Sequence, residues 1–324
     1  VPIVVDGRIE GVVTTFQKLD VLQKIESNVR RKLSDKGLSA RYRFEDIIGR
    51  SAPLQSTISL ANEYAAIDST VLIFGRTGTG KEIFAHAIHN ASRRNGEPFV
   101  AINCAALPES ILESELFGYV EGAFTGARKG GKAGVFEMAH GGTLLLDEVG
   151  EMPPRLQSNF LRAIEQREIM RLGDSRIVPI NVRLIASTHR NLRKMVSRGQ
   201  FREDLYYRLN VLSLPVPTLR ERGDDVLLIA DKFLREFYDI QGKSYGIFSE
   251  DAAQLQIDYE WPGNIRQLRN AMERLSVMTA GGLIEIDEVS RAIQIQDFTD
   301  LPGQQETEFS ATKDATNQHR GPLD

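Results

Sequence analysis

The amino-acid sequence predicts an α/β fold, in which a mainly parallel sheet is flanked by helices and followed by a smaller helical domain. Between residues 44 and 217, apolar runs of strand length alternate with segments of helical periodicity, the pattern of consecutive β–α–β units. After Pro217 the periodicity is helical as far as residue 295. The length of 324 residues agrees with this division, since a typical domain has roughly 150 residues.

Composition and charge narrow the class of protein. With 40 Lys and Arg against 44 Asp and Glu, the net charge of −4 disfavours a basic surface that coats nucleic acid. A single cysteine excludes a disulfide framework and favours a reducing compartment. The longest apolar runs, at residues 71–74 and 144–146, are far too short to span a bilayer. We therefore expect a soluble, cytoplasmic protein without membrane contact.

The first 16 residues predict a β-hairpin. Asp6 and Gly7 form a two-residue turn signal between apolar stretches at residues 1–5 and 9–16. Two strands alone are marginally stable, and the sequence starts at Val1 without a methionine. We therefore expect residues 1–16 to be the last hairpin of a sheet domain whose beginning is missing.

Residues 17–43 predict a connecting segment that begins as an amphipathic helix. Its apolar residues fall on one helical stripe, at Leu22, Ile25, Val29 and Leu33. The helix either packs on its own domain or forms a short coiled-coil connector between a sensor and an effector. About two to three heptads do not distinguish these alternatives.

The strands and helices of the remaining chain follow from the same periodicities. Strands are predicted at residues 70–74, 99–102, 142–146, 182–187 and 211–214. Helices are predicted after the core at residues 224–238, 249–259, 265–280 and 287–295. The resulting division is an α/β core at residues 44–220 and a helical domain at residues 221–296. Residues 297–324 are polar and without periodicity, which predicts a disordered tail.

Residues 75–82 have the composition and the context of a phosphate-binding loop. They lie between a predicted strand and a helical run at residues 83–90, and they are Gly75, Arg76, Thr77, Gly78, Thr79, Gly80, Lys81 and Glu82. Glycines let the backbone amides curl around phosphate oxygens, the helix N-terminus favours anions, and Lys81 reaches the outer phosphates. A glycine-rich turn with a chance lysine would lack this strand–loop–helix context. Glu82 departs from the pattern, because a magnesium-binding Ser or Thr usually follows the lysine.

Two acidic residues follow another predicted strand. Asp147 and Glu148 come directly after the apolar run 144–146, at the strand end where open α/β sheets bind ligands. Asp147 is suited to holding Mg²⁺, and Glu148 to orienting or deprotonating an attacking water. Acidic turn residues after a strand are common by themselves. Together with the phosphate loop, however, they predict a site that hydrolyses ATP rather than a GTP switch.

A loop with an aromatic tip is predicted at residues 122–127, which are Gly122, Ala123, Phe124, Thr125, Gly126 and Ala127. A phenylalanine in this setting either anchors its own turn or forms the apolar tip of a flexible finger that contacts a partner. The string resembles the signature of the bacterial enhancer-binding proteins, which are AAA+ ATPases that activate sigma-54 RNA polymerase. The resemblance extends from about residue 44 to residue 295. It implies an AAA+ P-loop ATPase fold with a parallel-sheet core and a small helical lid, and it favours the finger.

The resemblance also implies roles for individual residues. Residues 75–82, Asp147 and Glu148 match the nucleotide loop, the magnesium ligand and the water-activating carboxylate, although the family usually has Glu where Arg76 stands. Asn103 matches the asparagine that holds the catalytic glutamate away from the water until a partner binds. The remaining matches are Thr188 as the first sensor, Arg202 and Arg208 as arginines supplied across a subunit boundary, and Arg266 as the lid residue that senses the phosphates.

The function implied by the resemblance is ATP-driven remodelling of sigma-54 RNA polymerase holoenzyme through residues 122–127, with ATP and Mg²⁺ as cofactors. The subunits are expected to form a homo-oligomer, a hexameric ring, because arginines supplied in trans require a neighbour. Residues 1–16 resemble the end of a PAS sensor domain, residues 17–43 its signalling helix, and residues 151–157 a second pore-facing loop. Residues 297–324 carry no helix-turn-helix pattern, so DNA would be contacted only through a domain absent from this sequence.

Simpler interpretations remain open for several features. A P-loop kinase or another ATPase could act on a small molecule or a different protein, and a nucleotide-binding scaffold could lack turnover. Arg202 or Arg208 could form an ion pair with the acidic residues that follow Arg202. His86 and His89 lie three residues apart on one predicted helix. Without a third ligand we expect them to be surface residues rather than a metal site.

Overall fold

A five-stranded parallel sheet forms the centre of the computed structural model, which describes residues 2–5, 8–12 and 38–297. The strands are, in chain order, β1 (Pro2–Val5), β2 (Arg8–Val12), β3 (Val71–Phe74), β4 (Phe99–Asn103), β5 (Gly118–Tyr119), β6 (Lys132–Ala133), β7 (Thr143–Asp147), β8 (Glu168–Met170), β9 (Ile177–Pro179), β10 (Arg183–Thr188), β11 (Leu212–Pro215), β12 (Gly246–Phe248) and β13 (Gly282–Ile284). The central sheet has the order β11–β3–β10–β7–β4, and every neighbouring pair is parallel. The five strands predicted for the core are therefore confirmed, and their bounds differ by one residue at each displaced end.

Helices cover this sheet and dominate the C-terminal part of the described chain. They are α1 (Ala52–Ala65), α2 (Lys81–Asn90), α3 (Glu109–Phe117), α4 (Val135–Met138), α5 (Pro154–Gln166), α6 (Leu192–Ser197), α7 (Glu203–Leu209), α8 (Asp225–Gln241), α9 (Glu250–Asp258), α10 (Asn264–Met278) and α11 (Ile286–Asp297). Single 3-10 turns lie at Phe44–Asp46, Val149–Glu151 and Arg220–Arg222. The four helices predicted after the core correspond to α8, α9, α10 and α11.

Alternate strand residues pack on opposite faces of the sheet. Leu144 and Leu146 belong to one apolar core together with residues of α3 and α5. Leu145, between them, belongs to a second core with residues of α1 and α2. Because both faces are buried, the strands are almost continuously apolar, as in other parallel sheets. The prediction of a parallel sheet with helices on both faces is confirmed.

Residues 216–224 join the last core strand to the first lid helix and are called the hinge, and the helices after this hinge enclose an apolar core of their own. Trp261 and Tyr238 are its largest fully buried side chains, and α8, α10 and α11 each contribute to it. The short parallel pair β12–β13 also belongs to this part of the chain and is not foreseen by the sequence. A separate core is what distinguishes the helical lid as a domain.

The predicted N-terminal hairpin is present as the antiparallel pair β1–β2. The predicted helical stripe between residues 17 and 36 lies outside the described residues, and so does the predicted tail after residue 297. Within the part of the chain that the structure describes, no helix is long and apolar enough to cross a membrane.

Candidate nucleotide-binding site

A cavity of about 690 Å³ lies between the carboxyl edge of the sheet and the helical lid. The phosphate loop, residues 46–48 before α1, and the lid helices α8 and α10 form its walls. Asn103, Asp147 and Glu148 line it from the ends of β4 and β7. A ligand in this cavity would contact both domains, at the strand ends where open parallel sheets bind ligands.

The phosphate loop joins β3 to α2 with a backbone that requires its glycines. Gly78 and Gly80 have φ values of 78° and 95°, in the left-handed region that favours glycine. A Cβ on Gly78 would also overlap the carbonyl oxygen of Gly263, at the start of α10. The loop and the lid are therefore in contact at a point where no larger residue fits.

Lys81 is buried at the base of this loop. Its Nζ donates to the carbonyl oxygen of Gly75 at 3.0 Å and to that of Arg76 at 3.3 Å. The same nitrogen lies 3.7 Å from Oε1 of Glu148. The carbonyl groups of the loop thus hold the ammonium group between the loop and the end of β7.

Two loop residues depart from the expected pattern. Residues 77–82 line the cavity, Gly75 and Arg76 are not among its lining residues, and the Arg76 side chain is exposed. The assignment of Gly75 and Arg76 to the nucleotide loop therefore stays a prediction. Glu82 remains at the cavity rim, where the side chain of His86, with its Nε2 3.6 Å from Oε1 of Glu82, lowers the pKa of the Glu82 carboxyl group.

Asp147 accepts hydrogen bonds on both carboxylate oxygens. Nδ2 of Asn103 donates to Oδ2 at 2.8 Å, and the hydroxyl group of Ser187 donates to Oδ1. Oδ1 of Asn103 accepts the backbone N–H of Ala105 at 2.8 Å. Both polar atoms of the Asn103 amide therefore have a partner, and among the described hydrogen bonds none joins Asn103 to Glu148. The contact between Asn103 and Glu148 that the resemblance implies stays a prediction, and in this structure Asn103 is bonded to Asp147.

Glu148 is held by a residue that the sequence did not single out. Its Oε2 accepts the ring Nδ1–H of His189 at 2.6 Å and the backbone N–H of His189 at 3.1 Å. Burial would raise the pKa of Glu148, but these hydrogen bonds and the charge of Lys81 lower it overall. Glu148 also has a φ of 53°, which typically costs about 1 kcal/mol or more for a residue with a side chain.

The two predicted sensors lie on different sides of the phosphate loop. Thr188 is buried at the end of β10, where its hydroxyl group accepts the N–H of Arg190 at 3.0 Å. Its carbonyl oxygen accepts the N–H of Gly75 at 3.3 Å, which joins β10 to the loop. Arg266 is in the first turn of α10 and lines the cavity from the lid. Of the two, Arg266 alone reaches the cavity wall.

The two predicted trans arginines are exposed, and neither lines the cavity. Arg202 forms an ion pair with Asp204 at 2.7 Å, which is the local pairing that the sequence left open. Nη2 of Arg208 donates to the carbonyl oxygen of Ile164 at 3.3 Å. In this conformation, either arginine could act on a nucleotide only if that nucleotide were bound by another subunit.

The loop at residues 122–127 stands on a short antiparallel stalk, β5–β6. Gly122 and Gly126 have φ values of 79° and 94°, and a Cβ on either would meet nothing within 4 Å. Phe124 is 45% exposed, and its ring lies edge-on to Tyr119 at a centroid distance of 4.9 Å. Phe124 therefore does not anchor a buried turn, and the exposed aromatic tip is the interpretation that the geometry supports.

The hairpin β8–β9 lies beside this stalk. The N–H of Val120 donates to the carbonyl oxygen of Leu172 at 3.1 Å, and Gly173 packs closely against Ala123. Residues 151–157, which resemble a second pore-facing loop, lie largely in the 3-10 turn that ends at Glu151 and in the first turn of α5. Met152 and Gln157 of this stretch are buried, whereas Pro154 and Arg155 are exposed, and the pore-facing role stays a prediction. The two prolines of that stretch lie at the start of α5, where proline suits the first helical turn.

Comparison with protein-family models decides the family. Residues 47–215 match the model of the Sigma-54 interaction domain, and residues 220–305 match that of the AAA+ ATPase lid domain. This chain belongs to the sigma-54 interaction domain family. The two matches meet at the hinge between the α/β core and the helical lid.

Relatives of this sigma-54 interaction domain protein include named transcriptional regulators. It is 49% identical over 250 residues to the transcriptional regulatory protein GlrR of Escherichia coli K12, and the aligned region covers 77% of this chain and 56% of GlrR. It is 46% identical over 279 residues to ZraR of Salmonella typhimurium, and the aligned region covers 86% of this chain and 63% of ZraR. NtrX of Brucella abortus, solved in complex with ATP, has a TM-score of 0.72 at 32% identity, covering 90% of this chain and 62% of NtrX. The chain thus spans less than two thirds of the length of each of these relatives.

Sequence reasoning missed two buried charged residues at the hinge of the sigma-54 interaction domain and its lid. Nη2 of Arg222 donates to the carbonyl oxygen of Thr79 at 2.9 Å, and burial lowers the pKa of Arg222 to about 10. Asp225 accepts the backbone N–H of Arg50 at 2.7 Å and the hydroxyl group of Ser51 at 2.5 Å. Thr79 is 143 residues from Arg222 in the chain, and Arg50 is 175 residues from Asp225. No local sequence pattern therefore identifies Arg222 and Asp225 as hinge contacts.

Proposed function

We propose that this protein hydrolyses ATP and uses the released energy to remodel sigma-54 RNA polymerase holoenzyme, so that promoter DNA opens and transcription is activated. The observation that carries this proposal is the cavity at which the phosphate loop, Asp147 and Glu148 converge within a sigma-54 interaction domain. Relatives named as transcriptional regulatory proteins support it, and so does NtrX, which has been solved with ATP and with ADP.

ATP is proposed to bind with its phosphates against residues 77–82, among which Lys81 supplies the positive charge. Arg266 is proposed to approach the phosphates from the lid. Asp147 is proposed to hold Mg²⁺, since each of its oxygens accepts one hydrogen bond and keeps a further lone pair. Water and phosphate oxygens would supply the other ligands, as is usual for this ion. The ion would neutralise charge on the phosphate oxygens.

Glu148 is proposed to orient the attacking water and to accept its proton. Arg202 and Arg208 are proposed to stabilise the negative charge of a nucleotide bound by a neighbouring subunit, because both are exposed and outside their own chain's cavity. This requirement implies a homo-oligomer, which we propose to be a hexameric ring. Asn103, which is bonded to Asp147, and Thr188, which is bonded to the phosphate loop, are proposed to couple the state of the nucleotide to Glu148.

The loop at residues 122–127 is proposed to contact the sigma-54 polymerase, supported by the exposed ring of Phe124 on a stalk with open space around its glycines. We also propose that residues 44–220 and 221–296 are the ATPase core and the lid, since each has its own apolar core. Residues 1–16 are proposed to be the end of a PAS-like sensor domain and residues 17–43 its connection to the ATPase. The cytoplasm is the proposed location.

Hydrolysis by the purified protein tests the proposed activity. Glu148→Gln should bind ATP with unchanged affinity but hydrolyse it about 10²–10⁴-fold more slowly, since general-base assistance is typically of this size. Phosphate release at saturating ATP measures the rate, and a fluorescent ATP analogue measures binding. Glu63→Gln is a matched control, because Glu63 is exposed on α1. Hydrolysis by Glu148→Gln at the wild-type rate would contradict the proposal, and ADP release that required a small-molecule acceptor would favour a kinase.

A further inference from the structure

The described hydrogen bonds to the carboxylate of Glu148 all reach one of its two oxygens. Oε2 accepts two hydrogen bonds, from the ring Nδ1 of His189 at 2.6 Å and from the backbone nitrogen of His189 at 3.1 Å. Oε1 lies on the opposite side, 3.7 Å from Nζ of Lys81. One oxygen is therefore anchored to the end of β10, while the other faces the residue that is proposed to bind the phosphates.

The register of the sheet places His189 at this point. β7 and β10 are parallel neighbours, and Ala186 pairs with Leu146. Continuing this register brings Thr188 and His189 beside Glu148, just beyond the two strand ends. Thr188 instead uses its hydroxyl group to accept the N–H of Arg190 at 3.0 Å. Of the two residues, His189 therefore supplies the side chain that reaches Glu148.

The direction of this hydrogen bond follows from the chemistry of the acceptor. An ionised carboxylate has no proton to donate, so Nδ1 of His189 carries the hydrogen whether the ring is neutral or charged. The side chain of Glu148 is 16% exposed and that of His189 is 39% exposed. Water therefore competes weakly at the carboxylate, and the imidazole is the side chain that donates a hydrogen bond to it.

Asn103, the residue expected from sequence to hold this carboxylate, is engaged elsewhere. Its Nδ2 donates to Asp147 at 2.8 Å and its Oδ1 accepts the N–H of Ala105 at 2.8 Å. The restraint on Glu148 in this conformation therefore comes from β10 rather than from β4.

We propose that His189 is a positioning residue for Glu148, which anchors Oε2 so that Oε1 is directed towards the water that attacks the phosphate. This inference rests on the proposed function, because it assigns His189 a part in ATP hydrolysis. Holding a general base in its productive orientation lowers the barrier to the chemical step without adding to substrate binding. The loss of His189 should therefore lower kcat and leave KM almost unchanged.

Substitutions that remove or retain the Nδ1 donor test the inference. His189→Ala and His189→Leu remove it, and each should lower kcat about tenfold with KM within about twofold of wild type. His189→Asn places an amide nitrogen close to the position of Nδ1 and should recover most of the lost kcat. His140→Ala is the matched control, since His140 is an exposed histidine after α4. Two donor-free variants are used so that a folding defect in one does not decide the result, and thermal unfolding monitors both.

A double substitution gives an independent measurement. In the Glu148→Gln background, His189→Ala should cause less than about twofold further loss of kcat, because residues that act as one unit are strongly non-additive. A full tenfold loss in that background would overturn the inference. So would wild-type kcat in both donor-free variants, a higher kcat in them, or an equal loss in His189→Asn. A wild-type protein that did not hydrolyse ATP would overturn the proposed function and this inference together, whereas an active wild type with unaffected His189 variants would overturn this inference alone.

Discussion

His86 and His89 show how burial of single residues depends on distant parts of the chain. Both were expected on the surface, but they are 6% and 1% exposed, so that expectation is wrong. Nδ1 of His86 accepts the backbone N–H of Arg41 at 2.9 Å, and Nδ1 of His89 lies 2.9 Å from the hydroxyl group of Thr143. One histidine is thus covered by the segment before α1 and the other by the sheet. Among the described residues, no group of His, Cys, Asp and Glu could hold a metal ion by itself.

Burial of His89 predicts a loss of stability in mild acid. Desolvation, followed by the charge of nearby Arg183, lowers the pKa of His89 from 6.5 to about 4. As the pH falls below 6.5, the unfolded chain takes up this proton first, so stability present above that pH is lost progressively towards pH 4. Between pH 7 and pH 5 the expected loss is about 2 kcal/mol from this residue.

Urea unfolding at pH 7 and pH 5 measures this loss. His89→Gln removes the titrating group, so its free energy of unfolding should change between the two pH values by about 2 kcal/mol less than that of wild type. His140→Gln, at an exposed histidine, should keep the wild-type pH dependence. An unchanged pH dependence in His89→Gln would show that His89 is not buried in its neutral form.

At the scale of elements, the loop at residues 122–127 and the hairpin β8–β9 form one unit. The stalk strand β5 is bonded to the hairpin through Leu172, and Gly173 packs against Ala123. An ion pair between Lys132 and Glu115 at 2.5 Å further ties the returning strand β6 to α3. The loop tip is therefore open, while its base is fixed to two neighbouring elements.

Thr125→Ala tests the proposed role of this tip. Thr125 is outside the nucleotide cavity, so the variant should hydrolyse ATP at a rate within about twofold of wild type. It should fail to activate sigma-54-dependent transcription in a reconstituted assay, because the proposed contact with the polymerase is changed. Ser175→Ala, at an exposed residue of the adjacent hairpin, is the matched control and should activate normally. Normal activation by Thr125→Ala would exclude this residue from the contact.

At the scale of the whole molecule, the nucleotide cavity is shared by two domains with separate cores. Gly263 of the lid touches Gly78 of the phosphate loop, and Arg222 of the hinge donates to Thr79. Movement of the lid relative to the core would therefore change the walls of the cavity directly. The exposed arginines Arg202 and Arg208 lie outside this cavity, which makes assembly with other copies part of the proposed mechanism.

Mixing two inactive variants tests whether the site is shared between subunits. Lys81→Ala should remove the phosphate-binding cation, and Arg208→Ala the arginine offered to a neighbour, so each should hydrolyse ATP poorly alone. In an equimolar random mixture, roughly a quarter of the sites would combine an intact Lys81 with a neighbour's intact Arg208, and a similar share of the wild-type rate should return. The rate per subunit of the wild type should also rise steeply with protein concentration. A mixture no more active than its components would contradict the trans assignment of Arg208.

Local periodicity was sufficient for much of the fold and for the position of the candidate site. Each of the five core strands and four lid helices was predicted from its pattern of apolar residues, because burial on a sheet face or a helix stripe repeats at a fixed period. The phosphate loop and Asp147–Glu148 were predicted to meet, since the carboxyl ends of parallel strands lie at one edge of the sheet. These features depend on residues that are close in the sequence and on the fact that β–α–β units place their strands parallel in one sheet.

The hydrogen-bond partners of the site were not predictable in the same way. Asn103 binds Asp147 instead of Glu148, Glu148 binds His189, and Arg222 reaches the phosphate loop across the hinge. The two residues in each of these contacts are at least 41 residues apart in the sequence. They are brought together by the register of the strands or by the path of a loop. The sequence of 324 residues by itself determined the strands and helices and the sheet edge where the site lies, because these depend on short-range patterns. Only the tertiary structure decided the partner of each polar side chain. Hydrogen bonds act over a few ångströms in space, so their partners cannot be identified from local composition.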